Sequence, residues 1–281
     1  MNPIKVREQL KQFFIEDLGE GDLTSQTVFT NDHVGSGTFV VKSDGIISGV
    51  EVIRQAYALF NEDIDVSLYV RDGAEVRHGD VIATVHGPMV DLLSAERVVL
   101  NLVQRMSGVA TLTNKAVAIL GSSHTRICDT RKTTPGLRMF EKYAVRCGGG
   151  YNHRLGLYDG VMIKDNHIAA CGGITAAVRR VKDQLGHMVK VEVETETREE
   201  VIEAVEAKAD IIMFDNRSPD EVREFVELVP GSISTEVSGG IDLATVADYR
   251  DTFVDYLSLG FLTHSARALD ISFNVQGGSK S

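Results

Sequence analysis

The chain has 281 residues, 43% of them hydrophobic and 25% charged, with a formal net charge of −11 at pH 7. That length holds one large domain or two modest ones around a real core, and the composition excludes a disordered or fibrous protein. Apolar runs such as residues 98–103 break long before a membrane span, and the acidic balance argues against a general nucleic-acid or anionic-membrane binder.

The first residues, Met1 to Lys5, lead into an amphipathic stretch with acids in it, which fits neither a signal nor a transit peptide. The pattern predicts a helix over 3–14, with Asn2 as cap and Pro3 at its first position, burying Ile4, Leu10 and Phe13 or Phe14. Residues 16–25 read as a turn-rich acidic loop. Strands are expected at 37–49 and 64–71 around a helix near 50–60, and 72–80 repeats turn, Val, turn in the manner of a small β-sandwich. A long helical pattern at 92–120, with a weak point at Gly108, makes the natural connector. The expected division is one domain over 1–108, a second over 109–273 and a flexible tail over 274–281.

Beyond the connector, β-branched runs at 125–128, 161–163, 189–193, 211–214, 233–237 and 256–259 alternate with helical patterns such as 198–207 and 219–228. Such alternation means a parallel sheet with right-handed crossovers. The first polar or glycine residues at the strand ends are Asp129, Lys164, Glu194, Asp215, Ser238 and Gly260; the last four are spaced by 21, 23 and 22 residues. Chemistry at successive strand ends predicts a (β/α) barrel with its site on that face, whereas a doubly wound sheet concentrates it at one switch point. Six strands make the expected barrel incomplete.

Charge is concentrated in the same half. Residues 126–167 carry eight Lys/Arg against four acids, so this window is +4 and the remainder is −15. A cationic island in an acidic protein suits a small anionic ligand. Arg138, Lys142 and Arg146, at steps of four, are expected to be a solvated helix face; Arg131, Lys132, Arg154 and Lys164 lie outside that pattern. Three cysteines, Cys128, Cys147 and Cys171, form no CxxC, which fits a reducing, cytoplasmic setting.

No P-loop, HExxH or nucleophile elbow is present. Residues 129–136 place two cations and three hydroxyls directly after a strand, Arg offering a fork for carboxylate and Lys a point charge for phosphate. The Gly148-Gly149-Gly150 run precedes His153-Arg154, and Lys164 ends the next strand either as an anion ligand or as a Schiff-base former. Glu194 and Asp215 form a carboxylate pair suited to Mg²⁺; the plainer alternative is that one of them only pairs with an arginine of the basic cluster. Ser238-Gly239-Gly240 and Leu259-Gly260 offer backbone N–H groups to phosphate, and His264 follows as a further donor or a helix cap.

These residues carry a resemblance. EDLGEGDLTS (16–25), AERVVLNLVQRMSGVAT (95–111), the forty residues 129–168, VEVET (191–195), FDN (214–216), EVSGGI (236–241) and LSLGFLTHSARALDIS (257–272) resemble the quinolinate phosphoribosyltransferases, or nicotinate-nucleotide pyrophosphorylases (carboxylating). The resemblance implies an N-terminal open-faced α/β sandwich and a C-terminal incomplete barrel of the type II phosphoribosyltransferase kind. It implies quinolinate and phosphoribosyl pyrophosphate as substrates, Mg²⁺ as cofactor, and a homodimer with shared active sites, a hexamer being the larger alternative. By position, Arg131, His153, Arg154 and Lys164 would hold quinolinate. Lys132, Thr133, Glu194, Asp215, Ser238, Gly239, Gly240, Leu259, Gly260, Phe261 and His264 would hold the phosphoribosyl donor, with Lys132, Lys164, Glu194 and Asp215 at the chemistry and Glu194 and Asp215 on the metal. Arg97 would reach the partner's site, and the apolar residues Val98, Val99, Leu102, Val103 and Met106 around it are read as a face free to pack on that partner.

The bare chemistry agrees. Two adjacent carboxylates plus a phosphate and a pyrophosphate need a cation excess, and displacement by a ring nitrogen needs no protein nucleophile. Three rivals remain: a related barrel transferase acting on nicotinate or another small aromatic acid, a Schiff-base aldolase built on Lys164, and a lipoyl-like carrier over 72–88. The carrier lacks a lysine at the turn, where Arg77 and His78 stand.

Overall fold

The computed structural model describes residues 1–30 and 32–277. In chain order, α1 (Pro3–Leu18) and α2 (Leu23–Val28) lead to β1 (Val34–Val41), β2 (Gly45–Ile46), α3 (Val50–Phe60), β3 (Asp65–Leu68), β4 (Glu75–Val76) and β5 (Val81–Pro88). Next come α4 (Met89–Leu120), β6 (Arg126–Cys128), α5 (Arg138–Cys147), β7 (Val161–Ile163), α6 (Asp165–Cys171), α7 (Ile174–Gln184) and β8 (Val191–Thr195). The chain finishes with α8 (Arg198–Glu206), β9 (Ile211–Asp215), α9 (Pro219–Leu228), β10 (Ser234–Ser238), β11 (Tyr256–Ser258), α10 (Phe261–His264) and β12 (Ile271–Gly277). No helix among the described residues is long and apolar enough to cross a membrane.

Two compact units divide the chain. The first comprises Met1–Asn114, Thr134–Gly149 and the segment from Ser265 onward; the second comprises Lys115–Thr133 and Gly150–His264. The expected division at 108/109 therefore differs in three places, because residues 109–114, α5 and the segment after His264 belong with the N-terminal residues.

The first unit is built on an antiparallel sheet of order β12-β1-β5-β3, with a small β2-β4 ribbon. Alternate residues of β1 are buried, as expected for a sheet with one covered face. α1 forms where the sequence places it: the Asn2 side chain accepts from the Ile4 and Lys5 amides, and Pro3 opens the helix. Its inner face is Val6, Leu10 and Phe14, at steps of four. Ile4, expected inside, is 73% exposed, because two residues before Val6 is the opposite side of a helix. The acidic stretch 16–25 is a turn only over residues 19–22, between two helix ends: α1 runs to Leu18, and the Asp22 carboxylate caps α2 by accepting from the Ser25 amide at 2.9 Å.

α4 passes through Gly108 without a break. A Cβ there would collide with the backbone carbonyl of Arg267, so this glycine allows a close approach rather than marking a weak point. Val98, Val99, Leu102, Val103 and Met106 are all buried within this one chain, which corrects the reading of that face as waiting for a partner. Lys142 corrects the solvated stripe, since it is only 2% exposed. Its neighbour Glu141 is also buried and accepts from Arg105 Nε and Nη2 at 3.0 and 2.8 Å, and from the Thr134 amide at 3.0 Å. β12 corrects the expected tail: residues 271–277 pair antiparallel with β1, and only 278–281 lie outside the described residues.

The second unit is a six-stranded parallel sheet of order β6-β11-β10-β9-β8-β7. Among the described residues no ladder joins β7 back to β6; Tyr151 makes a single parallel bridge to Cys128 instead. An incomplete barrel was the expectation, and it holds. Parallel register puts Glu192, Glu194, Met213, Asp215, Glu236, Ser238, Ser258 and Cys128 on one face. The other face, with Val193, Ile212, Phe214, Val237 and Leu257, is buried and apolar; Phe214 meets Phe225 of α9 edge to face with centroids 5.5 Å apart. One face is therefore core and the other is chemistry.

Candidate active site

The strand ends of the second unit bring the expected residues together. After β6, the Lys132 amide donates to the Thr130 hydroxyl at 3.0 Å, and the Thr263 hydroxyl donates to the Lys132 carbonyl at 2.7 Å. This tie lays the Lys132 stem over Gly260, where an added Cβ would sit 2.9 Å from Lys132 Cδ. Lys132 is exposed and Thr133 half-buried. Gly260 and Phe261 are half-buried and His264, which ends α10, is exposed, whereas Leu259 is buried and has only its backbone to offer a ligand.

Two further loops are interlocked. Asn216, which follows Asp215, adopts a left-handed conformation with φ 53°, and its amide donates to the Ser238 carbonyl at 2.8 Å. Gly239 (φ 94°) lies so close that a Cβ would strike the Asn216 side-chain oxygen, and Gly240 follows at φ 67°. Only glycine serves at Gly239, on grounds of both conformation and space. The Asp215 carboxylate accepts from the Asn216 side-chain amide at 2.6 Å.

Lys164 and Glu194, the ends of adjacent strands β7 and β8, form an ion pair between Nζ and Oε2. The partner of Glu194 is thus a lysine from the neighbouring strand end and not the arginine that the plainer reading named. Glu194 and Asp215 remain an all-oxygen donor set on neighbouring strands, which fits a hard cation such as Mg²⁺.

The Gly148-Gly149-Gly150 segment delivers His153 and Arg154. Asp129, completely buried, accepts from the His153 amide at 3.0 Å and from the Asn152 side chain at 2.5 Å, and so seats this loop on β6. The Arg154 guanidinium donates to the Gly160 carbonyl at 3.2 Å. Burial, together with the neighbouring Arg131, holds Arg154 below the ordinary arginine value. Arg97 lies in the first unit, 59% exposed at its side chain and 3.5 Å from Glu96.

Below this rim is a second polar layer that sequence reasoning missed. His153 Nε2 lies 3.0 Å from Glu192 Oε2 and 3.6 Å from Glu236 Oε1, and both glutamates are 3% exposed. Burial and the Glu192 charge push the Glu236 carboxyl up to about 8. These three groups border a cavity of about 310 Å³ that Arg154, Cys128 and Tyr256 also line. The available signal was a charged residue inside an apolar parallel strand, two positions before a predicted ligand on the same face: Glu192 before Glu194, and Glu236 before Ser238.

Comparison with known proteins places this arrangement. Residues 109–274 match the C-terminal domain of quinolinate phosphoribosyl transferase, and residues 22–107 match its N-terminal domain. A Bacillus subtilis protein named "probable nicotinate-nucleotide pyrophosphorylase (carboxylating)" is 54% identical over 275 residues, covering 98% of this chain and 95% of that one. A tobacco protein named as a mitochondrial quinolinate phosphoribosyltransferase (decarboxylating) is 41% identical over 96% of this chain and 82% of its own. The crystal structure of NadC from Streptococcus pyogenes superposes with a TM-score of 0.95 at 37% identity, covering 99% of both chains. Matched in both domains and along nearly its whole length, the chain belongs to the quinolinate phosphoribosyltransferase family.

Proposed function

We propose that this chain transfers the phosphoribosyl group of phosphoribosyl pyrophosphate to quinolinate with decarboxylation, giving nicotinate mononucleotide, pyrophosphate and CO₂. The observation that carries this reading is the gathering of cations in the second unit: Lys132 lies over Gly260, Lys164 pairs with Glu194, and Arg154, next to His153, feels the charge of Arg131. Quinolinate brings two neighbouring carboxylates, which two forked guanidiniums can bind in register. The single carboxylate of nicotinate leaves one fork unused.

Arg131, His153, Arg154 and Lys164 orient the pyridine ring, while Lys132, Thr133, Gly260, Phe261, His264 and the Ser238-Gly239-Gly240 turn take the phosphates. Glu194 and Asp215 would hold Mg²⁺, which when bound neutralises the departing pyrophosphate. With Glu194 engaged there, Lys164 would be released from its Glu194 partner to meet a substrate carboxylate. The quinolinate nitrogen attacks the ribose carbon as pyrophosphate leaves; the positive ring nitrogen then stabilises the carbanion left on the adjacent ring carbon as CO₂ departs, and a proton from water completes the product. The protein supplies position and charge and no nucleophile.

A turnover assay with quinolinate, the donor and Mg²⁺ should release CO₂ and pyrophosphate one to one. Efficient turnover of nicotinate with no CO₂ would instead favour the related transferase. The enzyme is proposed to work as a homodimer in the cytoplasm with Arg97 donated to the partner's site. Refolding inactive Arg97→Ala chains together with inactive Lys164→Ala chains should then restore about one quarter of wild-type activity, because half of a random mixture is heterodimer and half of its sites are intact. No recovery, with heterodimers confirmed by native mass spectrometry, removes Arg97 from the partner's site.

A further inference from the structure

Glu192 and Glu236 sit at interior positions of β8 and β10 where the fold alone would be served by valine. Burying a carboxylate is costly unless it is paired, and here two share one imidazole. Oε1 of each has no hydrogen-bond partner. The arrangement converges on one atom, His153 Nε2, at 3.0 Å from Glu192 and 3.6 Å from Glu236. The same residue is fixed at its backbone by Asp129, whose carboxylate accepts the His153 amide at 3.0 Å.

We propose that Glu192, backed by Glu236, is a positioning residue: it grips His153 through Nε2 and so sets the ring orientation in which His153 meets a carboxylate of quinolinate. The proposal rests on the reading of His153 as a quinolinate ligand. A carboxylate opposite Nε2 accepts its hydrogen bond and cannot donate one, so a proton is held on Nε2 and the orientation of the ring is set before substrate arrives. Arg154 lies near enough to feel the Glu192 charge, so the same carboxylate borders both expected quinolinate ligands of this loop.

The test is a double-mutant cycle read by calorimetric binding of quinolinate alone, without donor or metal, which keeps the Glu194–Asp215 pair out of the measurement. Glu192→Ala should weaken quinolinate binding on the order of 10-fold, and Glu192→Gln, which keeps an acceptor oxygen, should lose less. With His153→Ala already present, neither Glu192 change should weaken binding further, and donor affinity should stay at its wild-type value in the Glu192 variants. Equal losses with and without His153 would overturn the proposal, because Glu192 would then act on the fold at large. So would stoichiometric Mn²⁺ binding that survives Glu194→Ala/Asp215→Ala and disappears with Glu192→Gln, which would make the trio a metal site. If His153→Ala itself leaves quinolinate affinity unchanged, the ligand reading of His153 fails and the proposal falls with it; in the other two cases that reading stands.

Discussion

Glu192 and Glu194 lie two residues apart on β8 and face the same side of the sheet, yet they have opposite surroundings. Glu194 stands at the strand end with an ammonium partner, while Glu192, one layer deeper, is buried against an imidazole and a second carboxyl. β10 repeats the contrast with Ser238 at its end and Glu236 inside. The rim is polar, open and fitted to exchange partners; the inner layer is closed and fixed. A site of this kind separates groups that must rearrange during turnover from groups that must not.

The largest effect is expected from breaking the rim. Asp215→Ala should lower kcat by roughly 10²–10³-fold, the scale of losing one electrostatic stabiliser, and the activity that remains should lose its Mg²⁺ dependence. Quinolinate should bind this variant normally, and unchanged donor–Mg²⁺ affinity by calorimetry would remove Asp215 from the metal. An intermediate effect is expected between the layers. Arg154→Lys keeps the charge but not the planar fork, and should cost about 1.5–3 kcal/mol of quinolinate affinity; near-normal affinity would make Arg154 a general positive charge.

The smallest effect sharpens the inner layer. Glu236 holds its proton more tightly folded than unfolded, so its contribution to stability is complete below its ordinary value of 4.5 and is lost as pH rises through about 8. Glu236→Gln removes that loss. Measured against wild type, its melting temperature should gain about 2–4 °C on going from pH 5 to pH 8.5. A difference that does not change with pH would mean that Glu236 is ionised throughout.

The two layers were not equally legible in the sequence. The rim follows from one rule, that function collects at the C-terminal ends of parallel strands, and the βα spacing alone located Glu194, Asp215, Ser238 and Gly260. The inner layer escaped because a glutamate inside VEVET reads as half of an alternating strand, and only register shows that Glu192 and Glu236 converge on His153. Ile4 and Lys142 failed for a related reason: helix period fixes which residues share a face, not which face is covered. The Asp129 tether needed the loop's return to β6, which no local pattern encodes.

The pairing of β12 with β1 joins segments that the whole second unit separates in sequence. β1 lies between β5 and β12, and Phe273 of β12 lies over Gly37, where any Cβ would strike its ring, and 4.7 Å from Phe39 by ring centroids. The whole second unit is therefore synthesised between β1 and β12, and the first sheet is incomplete until it has been made. Until then β1 is an unpaired edge, open to wrong partners. Truncation just before Ile271 would make that waiting state permanent, so the C-terminal strand is a closing clasp of the N-terminal fold and a poor place to cut.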